Sequence, residues 1–298
     1  MPNFSFKDGG TVVQYYLAQI LDELGENVRI CTNNNINTPN SIFSKFYNND
    51  FPIDDNAIVI YCEGTQGNPL NAPKVVRWML SELGQNVPKD DVNTWGKNEL
   101  VYYFNSEKKM YDSSEKIGSI YKLLSVIYLN PYVKQNNFNS RKGICYTVRK
   151  GELIHKNKLN FVHPKNAFEI TRKHSQMQCI KIFNIYKYFM CYDSLTFYII
   201  ISALCGCIPV IYKIEGLTKK DWIHTTAAAE YCKFKNIDNL YGIAYGKEDM
   251  KYAENTIHLV RDQWNDIINF CKTQTVIPFL NNMQHFSEMI NTVENNFY

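Results

Sequence analysis

A chain of 298 residues with 45% apolar and 20% charged side chains has material for two domains of about 150 residues each, and its composition excludes a disordered chain. The formal charge is only +3, with basic residues scattered along the sequence, so nucleic acid is not expected as the main partner. Nine cysteines, single apart from Cys205-Gly206-Cys207, show neither a disulfide-dense pattern nor paired C-x-x-C spacing and read as reduced thiols in a cytosol-like compartment.

Met1 to Gly10 is short, polar and glycine-ended, which does not read as a secretory leader. The longest apolar run, Phe197 to Tyr212, is shorter than the roughly 18 to 20 residues of a spanning helix, and it contains Gly206 and Pro209. A cytoplasmic protein is expected, with surface lysines and aromatics leaving room for peripheral membrane contact.

Apolar residues at helical spacing predict a first helix over Val12 to Leu24, stopped by Gly25, and then a short strand over Val28 to Cys31. Asp8-Gly9-Gly10 falls in the loop opening that helix. A doubly wound domain would place a strand before such a loop, so either Met1 to Phe6 is the remnant of one or a strand is missing upstream. Ala57 to Tyr61 is a buried strand of parallel-sheet character that delivers Cys62-Glu63-Gly64-Thr65-Gln66-Gly67-Asn68-Pro69-Leu70-Asn71 at its carboxyl end. A helix is expected over Ala72 to Leu83, ending at Gly84, then a strand over Glu99 to Phe104, a polar stretch over 105–119 and a strand-like segment over Lys122 to Tyr132.

The turn-rich stretch from Gln135 to Gly143 is the candidate linker. Beyond it come strands over Cys145 to Val148 and Asn160 to Val162, a helix near Ser175 to Phe183, and a strand over Tyr188 to Cys191. A helix after Thr196, a strand over Val210 to Tyr212 and helices over Asp221 to Lys233 and Asp249 to Lys272 complete the order. The tail from Pro278 to Phe297 is read as a helix packing back on the first domain. The expected fold is α/β, with two Rossmann-like domains over 1–139 and 140–275 facing a cleft and a C-terminal helix over 276–298.

Ligands of open parallel sheets collect beyond the carboxyl ends of the strands, which shortens the search for chemistry. Tyr192-Asp193-Ser194-Leu195-Thr196 leads into an apolar helix, where Ser194 or Thr196 can cap and leave the first N–H groups facing an anion, as in a diphosphate cradle. Arg149-Lys150-Gly151 closes a strand, so two cations project where a diphosphate could be held, unless they are a solvated strand end. Glu63 follows a buried strand directly, as a general base, a ligand for a sugar hydroxyl or a surface acid. Trp222 offers an aromatic face for a sugar or base, or else a core side chain. The pair Cys205 and Cys207 makes a poor zinc set without a second pair, so neither a metal nor another cofactor is expected. Among the scattered histidines His163 alone follows a predicted strand, where a structural role is the simpler reading. No G-x-G-x-x-G follows a strand, which disfavours a dinucleotide-dependent dehydrogenase.

Several segments together resemble a group of bacterial polysaccharide and lipopolysaccharide glycosyltransferases of GT-B fold. They are Ile58 to Glu63, Gly67-Asn68-Pro69-Leu70-Asn71-Ala72, Val75-Val76-Arg77-Trp78, Tyr102-Tyr103-Phe104, Gly143 to Gly151 and Tyr188 to Val210. The resemblance implies a metal-independent hexosyl transfer from a nucleotide diphosphate sugar to a glycan or glycolipid hydroxyl. It places Gly9, Gly10, Arg149, Lys150, Ser194 and Thr196 at the donor, Asp8, Asn68 and Asn71 at the acceptor, and Glu63 and Asp193 as catalytic. Arg77 and Trp78, read as helical, would pack. One departure is plain: where retaining relatives with an E-x7-E pattern carry a second Glu for the ribose, this chain has Asp193 and then Ile201. A sugar-nucleotide epimerase of the same fold and a non-catalytic glycan-binding protein derived from such an enzyme are the alternatives.

Overall fold

The computed structural model describes residues 4, 8–32, 43–47, 53–81, 83–84, 87–105, 122–137, 140–156, 158–286 and 288. The chain forms two compact units, Met1–Tyr128 with Ile268–Tyr298 and Leu129–Ile267. Each is an α/β unit on a parallel sheet, of four and five strands respectively.

In the first unit, α1 (Gly9–Glu23) starts at Asp8, whose Oδ1 accepts the Gly10 N–H at 3.0 Å while Oδ2 accepts the Thr11 hydroxyl at 2.6 Å. This N-cap satisfies a donor that the helix leaves unpaired. The strands β1 (Ile58–Cys62), β2 (Lys74–Met79), β3 (Leu100–Tyr103) and β4 (Lys122–Leu123) lie side by side in that order, all parallel. Where a helix was expected over Ala72 to Leu83, β2 runs instead. Its run is six residues long, holds the β-branched pair Val75 and Val76, and is buried from Val75 through Met79 between β1 and β3. An apolar run of that length does not distinguish a buried strand from a helix segment, and two neighbouring strands decide it. The strand expected at Val28 to Cys31 is reduced to one bridge, Ile30 with Tyr47, and the segment from Lys122 pairs for two residues only. Leu124 and Val126 then enter the core with Leu17, Ile20 and Leu21 of α1 and Val76 and Trp78 of β2. The expected remnant strand at Met1 to Phe6, apart from Phe4, and the polar stretch beyond residue 105 lie outside the described residues.

The second unit runs β5 (Ile144–Thr147), α2 (Gly151–Ile154), β6 (Phe168–Glu169), α3 (Gln176–Phe183), β7 (Tyr188–Cys191), α4 (Tyr198–Leu204) and β8 (Ile208–Ile211), then α5 (Lys219–His224), α6 (Ala229–Lys235), β9 (Ala244–Tyr245), α7 (Met250–Thr256) and α8 (Val260–Cys271), whose last residues from Ile268 belong to the first unit. Its strands lie in the order β6-β5-β7-β8-β9, all parallel. The expected strand at Asn160 to Val162 does not form, and the edge position is taken by β6, six residues later. The helix expected from Asp221 to Lys233 is two, α5 and α6, and that from Asp249 to Lys272 is α7 and α8 joined by a 3-10 turn. Gly206, at φ +80°, stops α4 before β8, a left-handed conformation that a side chain would strain. After a π-turn at Lys272–Val276, α9 (Ile277–Gln284) packs in the first unit, Phe279 meeting the Tyr102 ring edge-on at 4.9 Å and Asn282 donating to the Tyr102 hydroxyl at 3.1 Å. Residues of the expected tail helix beyond 288 are outside the described set.

Among the described residues no helix is long and apolar enough to cross a membrane.

Candidate functional site

The strand order of the second unit places a topological switch point at β5. From β5 the chain crosses to β6 on one side, and the next strand, β7, lies on the other side of β5. The chain therefore leaves β5 and β7 toward opposite edges of the sheet, and such switch points are where open α/β sheets bind ligands. Arg149, Lys150 and Gly151 follow β5, and Asp193, Ser194 and Thr196 follow β7, so six residues from two distant segments come to one strand edge.

These two loops are pressed together. A Cβ built on Gly151 would lie 2.7 Å from the Tyr192 carbonyl oxygen and 2.9 Å from its carbonyl carbon and its Cβ, so only glycine fits. The Tyr192 N–H donates to the Thr147 carbonyl at 3.1 Å, continuing the β5–β7 ladder one residue into the loop. Arg149 stands at φ +44°, a left-handed conformation costly for a side-chain-bearing residue. Its guanidinium lies 5.0 Å over the Tyr198 ring, and its Nε lies 3.9 Å from Asp193 Oδ2. With 30% of its side chain exposed, it can reach a ligand.

Asp193 is buried and accepts the Leu195 N–H at 3.3 Å. Burial raises the pKa of its carboxyl from the ordinary value, with the Leu195 N–H and the Arg149 guanidinium opposing. Ser194 is 1% exposed, and its hydroxyl has no hydrogen-bond partner among the described residues, a costly state for a buried polar group. The Ser194 carbonyl accepts from the indole of Trp222, which is fully buried and buttresses the loop instead of offering a face for stacking.

The expected cradle of N–H groups takes a different form. The Leu195 N–H turns to Asp193 Oδ1, the Thr196 N–H to the Asp193 carbonyl at 3.2 Å, the Tyr198 N–H to Thr196 Oγ1 at 3.4 Å and the Ile199 N–H to the Thr196 carbonyl at 3.3 Å. Donors that would have faced an anion are spent locally, because Asp193 and Thr196 compete for them. Charge at this edge comes from Arg149 and the exposed Lys150 instead.

The other sequence candidates belong to the first unit. Gly9 and Gly10 form the first turn of α1 itself, not a loop before it, and Asp8 is occupied as its cap. Glu63 is buried, and both its oxygens accept, Oε2 from the Leu80 N–H at 3.0 Å and Oε1 from the Ser81 hydroxyl. It ties the carboxyl end of β1 to that of β2, which is the work of a clamp and not of an open base. Asn68 is spent inside its own loop: Oδ1 accepts from the Tyr61 hydroxyl and the Ala72 N–H, both at 3.0 Å, and Nδ2 donates to the Ala72 carbonyl at 2.8 Å. Asn71 is exposed and stands at φ +48°.

Arg77, read from sequence as a helical packing residue, is instead a fully buried strand residue that organises this loop. Its guanidinium makes two bonds to Glu99, at 2.6 and 3.0 Å, and donates to the carbonyls of Thr65 at 2.7 Å and Gly67 at 2.6 Å. The rings of Tyr61 and Trp95 flank it, each 5.0 Å away. Sequence spacing carried no signal for this network, nor for Tyr192 or His155, whose roles depend on partners far along the chain. Cys205 and Cys207 are buried free thiols, their pKa values raised by burial, to about 12 for Cys205.

The class that fold and site define is thus an α/β chain on two parallel sheets, compatible with a two-domain Rossmann-like fold, with Arg149 and Lys150 at the switch point of the second sheet. Compared with protein-family models, with curated proteins and with solved structures, the chain finds no match.

Proposed function

We propose that the chain is a glycosyltransferase moving a sugar from a nucleoside diphosphate sugar to a hydroxyl of a glycan acceptor, with the donor held at the carboxyl ends of β5 and β7. The observation that carries this reading is the grouping at a switch point of two cations, Arg149 and Lys150, with the unpaired Ser194 hydroxyl and the buried Asp193 carboxyl. A diphosphate presents acceptor oxygens that a guanidinium engages in pairs and an ammonium engages as a point charge. Ser194 would donate its unpaired proton to the same ligand, and Asp193 would accept from sugar hydroxyls.

In such a transfer the bond between the anomeric carbon and the donor phosphate oxygen breaks, the acceptor oxygen bonds to that carbon, and the acceptor proton passes to the departing diphosphate or through it to water. Negative charge gathers on the departing diphosphate, which is where Arg149 and Lys150 stabilise the transition state. Glu63, committed to Leu80 and Ser81, is not called on as the base. Ile201 is 1% exposed in the core face of α4, so a ribose contact would come from another residue. That same departure favours one second reading, a glycan-binding protein without transfer activity.

A thermal-shift panel of UDP, GDP, CMP, ADP and dTDP, on wild type and on Arg149→Ala/Lys150→Ala, tests the donor site. Stabilisation by one diphosphate, lost in the double variant, is expected, and the matching sugar nucleotide is then assayed for glycan-dependent release of that diphosphate. Release without any acceptor, with an isomerised sugar, would point to an epimerase. Glycan binding with no response to any nucleotide would overturn the transferase reading in favour of the binding protein.

A further inference from the structure

The Tyr192 side chain, immediately before Asp193, is held by partners that the transfer chemistry does not use. Its hydroxyl is fully buried, accepts the Val162 N–H at 2.8 Å and lies 2.8 Å from His163 Nδ1. A phenol has one proton to donate. A neutral imidazole with its hydrogen on Nε2 takes that proton at Nδ1, whereas the other tautomer would donate from Nδ1 to the phenol oxygen. The ring is fixed in this pose by stacking on Tyr146 at 3.7 Å and 16° and by the tilted Phe161 ring at 5.4 Å. At the other end of Tyr192 the main-chain carbonyl accepts from His155 Nε2 at 3.2 Å and is the atom against which Gly151 packs.

We infer that His163 is a positioning residue for the anion-binding edge, acting through Tyr192: its Nδ1 takes the buried phenol proton and so fixes where Asp193, Ser194 and the Arg149 turn stand. The inference rests on the donor-site reading above, and it adds a residue that touches no ligand itself. The chain of contact is short. His163 and Val162 set the phenol, the phenol sets the Tyr192 backbone, and that backbone meets Gly151 on one side and continues into Asp193 on the other. Without an acceptor at position 163 a buried hydroxyl proton is left unpaired, and the ring must shift to relieve it. Both loops at the switch point would shift with it, because the gap at Gly151 has no slack.

The test is calorimetric titration of inorganic pyrophosphate into the full chain and its variants. His163→Leu fills the volume without an acceptor, and His163→Asn restores an acceptor near the Nδ1 position. Affinity is expected to fall about fivefold or more in H163L, the worth of one hydrogen bond, and to return to within about twofold of wild type in H163N. In a Tyr192→Phe background H163L should weaken binding no further. Wild-type affinity in H163L, or equal losses in H163L and H163N, overturns the positioning role while leaving the anion site standing. Absence of pyrophosphate binding by wild type overturns the site reading and this inference together. Imidazole 15N shifts of His163 in the wild-type protein supply a check that needs no variant to fold: an unprotonated Nδ1 at pH 7 is expected, and a proton on Nδ1 refutes the assignment.

Discussion

Gly151 brings the two loops at the switch point into van der Waals contact, and Gly151→Ala perturbs that approach by a single methyl group. Its Cβ would stand 2.7 Å from the Tyr192 carbonyl oxygen. A carbon and a carbonyl oxygen settle at about 3.3 Å or more, so the α2 turn and the Tyr192 backbone must part by about 0.6 Å. Overpacking of this kind costs about 1–3 kcal/mol, while alanine returns about 0.4–1 kcal/mol by restricting the unfolded chain, for a net loss of about 1 kcal/mol. The effect on binding is larger than the effect on folding, because a ligand constellation tolerates only about 0.5 Å of displacement. Urea denaturation followed by tryptophan fluorescence should show a modestly lowered midpoint, and calorimetric titration of the stabilising nucleoside diphosphate should show at least about a tenfold loss, or about 1.4 kcal/mol. A variant with wild-type midpoint and wild-type affinity would refute the claim that this contact sets the geometry of the switch point.

Three further substitutions test other parts of the molecule. Glu99→Gln removes the carboxylate bonded to the fully buried Arg77 and should cost about 3–5 kcal/mol in urea unfolding, since an uncompensated charge stays inside; a loss below about 1 kcal/mol would contradict the buried-pair account. Arg149→Gly and Arg149→Ala should lose nucleotide stabilisation alike, but the glycine variant should be the more stable of the two by about 1 kcal/mol, because only glycine accepts φ +44° without strain; identical melting midpoints would argue against it. Asp193→Asn should raise stability at neutral pH while abolishing function. Burial raises the folded pKa of Asp193, so the folded state holds its proton to higher pH than the unfolded chain does. Wild-type stability therefore declines as pH rises from the unfolded carboxylate pKa, about 3.9, through the raised folded value, and D193N should outperform it increasingly across that window and by a constant margin above. Chemical denaturation at a series of pH values reads this directly, and a margin that shrinks with rising pH would sink it.

What could be read in the sequence was whatever the chain decides locally. The strand at Tyr188 to Cys191 forms over the expected residues because a short apolar run stands between turn signals and flanking polar residues. The helix beginning at Ser175 carries its own start, a capping box in which Ser175 accepts from the Gln178 N–H and the Gln178 side chain accepts from the Ser175 N–H. Gly206 stops α4 by its backbone alone, and the alternation of strands and helices sufficed for an α/β chain. The strand ends also pointed to Arg149, Lys150, Asp193 and Ser194, because their positions after short apolar runs are a local property.

Everything that depended on a partner far along the chain was decided only by tertiary structure. Val75 to Met79 became a strand and not a helix because β1 and β3 lie on either side of it, and Arg77 found Glu99, 22 residues on, only once those strands were paired. Glu63 could have been an open acid or a clamp, and the register that brings Leu80 and Ser81 to it chose the clamp. The N–H groups around Thr196 could have faced a ligand, but burial turned Asp193 back onto them. Side-chain identity sets what a group can donate or accept. Which partner it meets, and whether water is there to compete, is set by burial, and burial exists only when distant segments have come together.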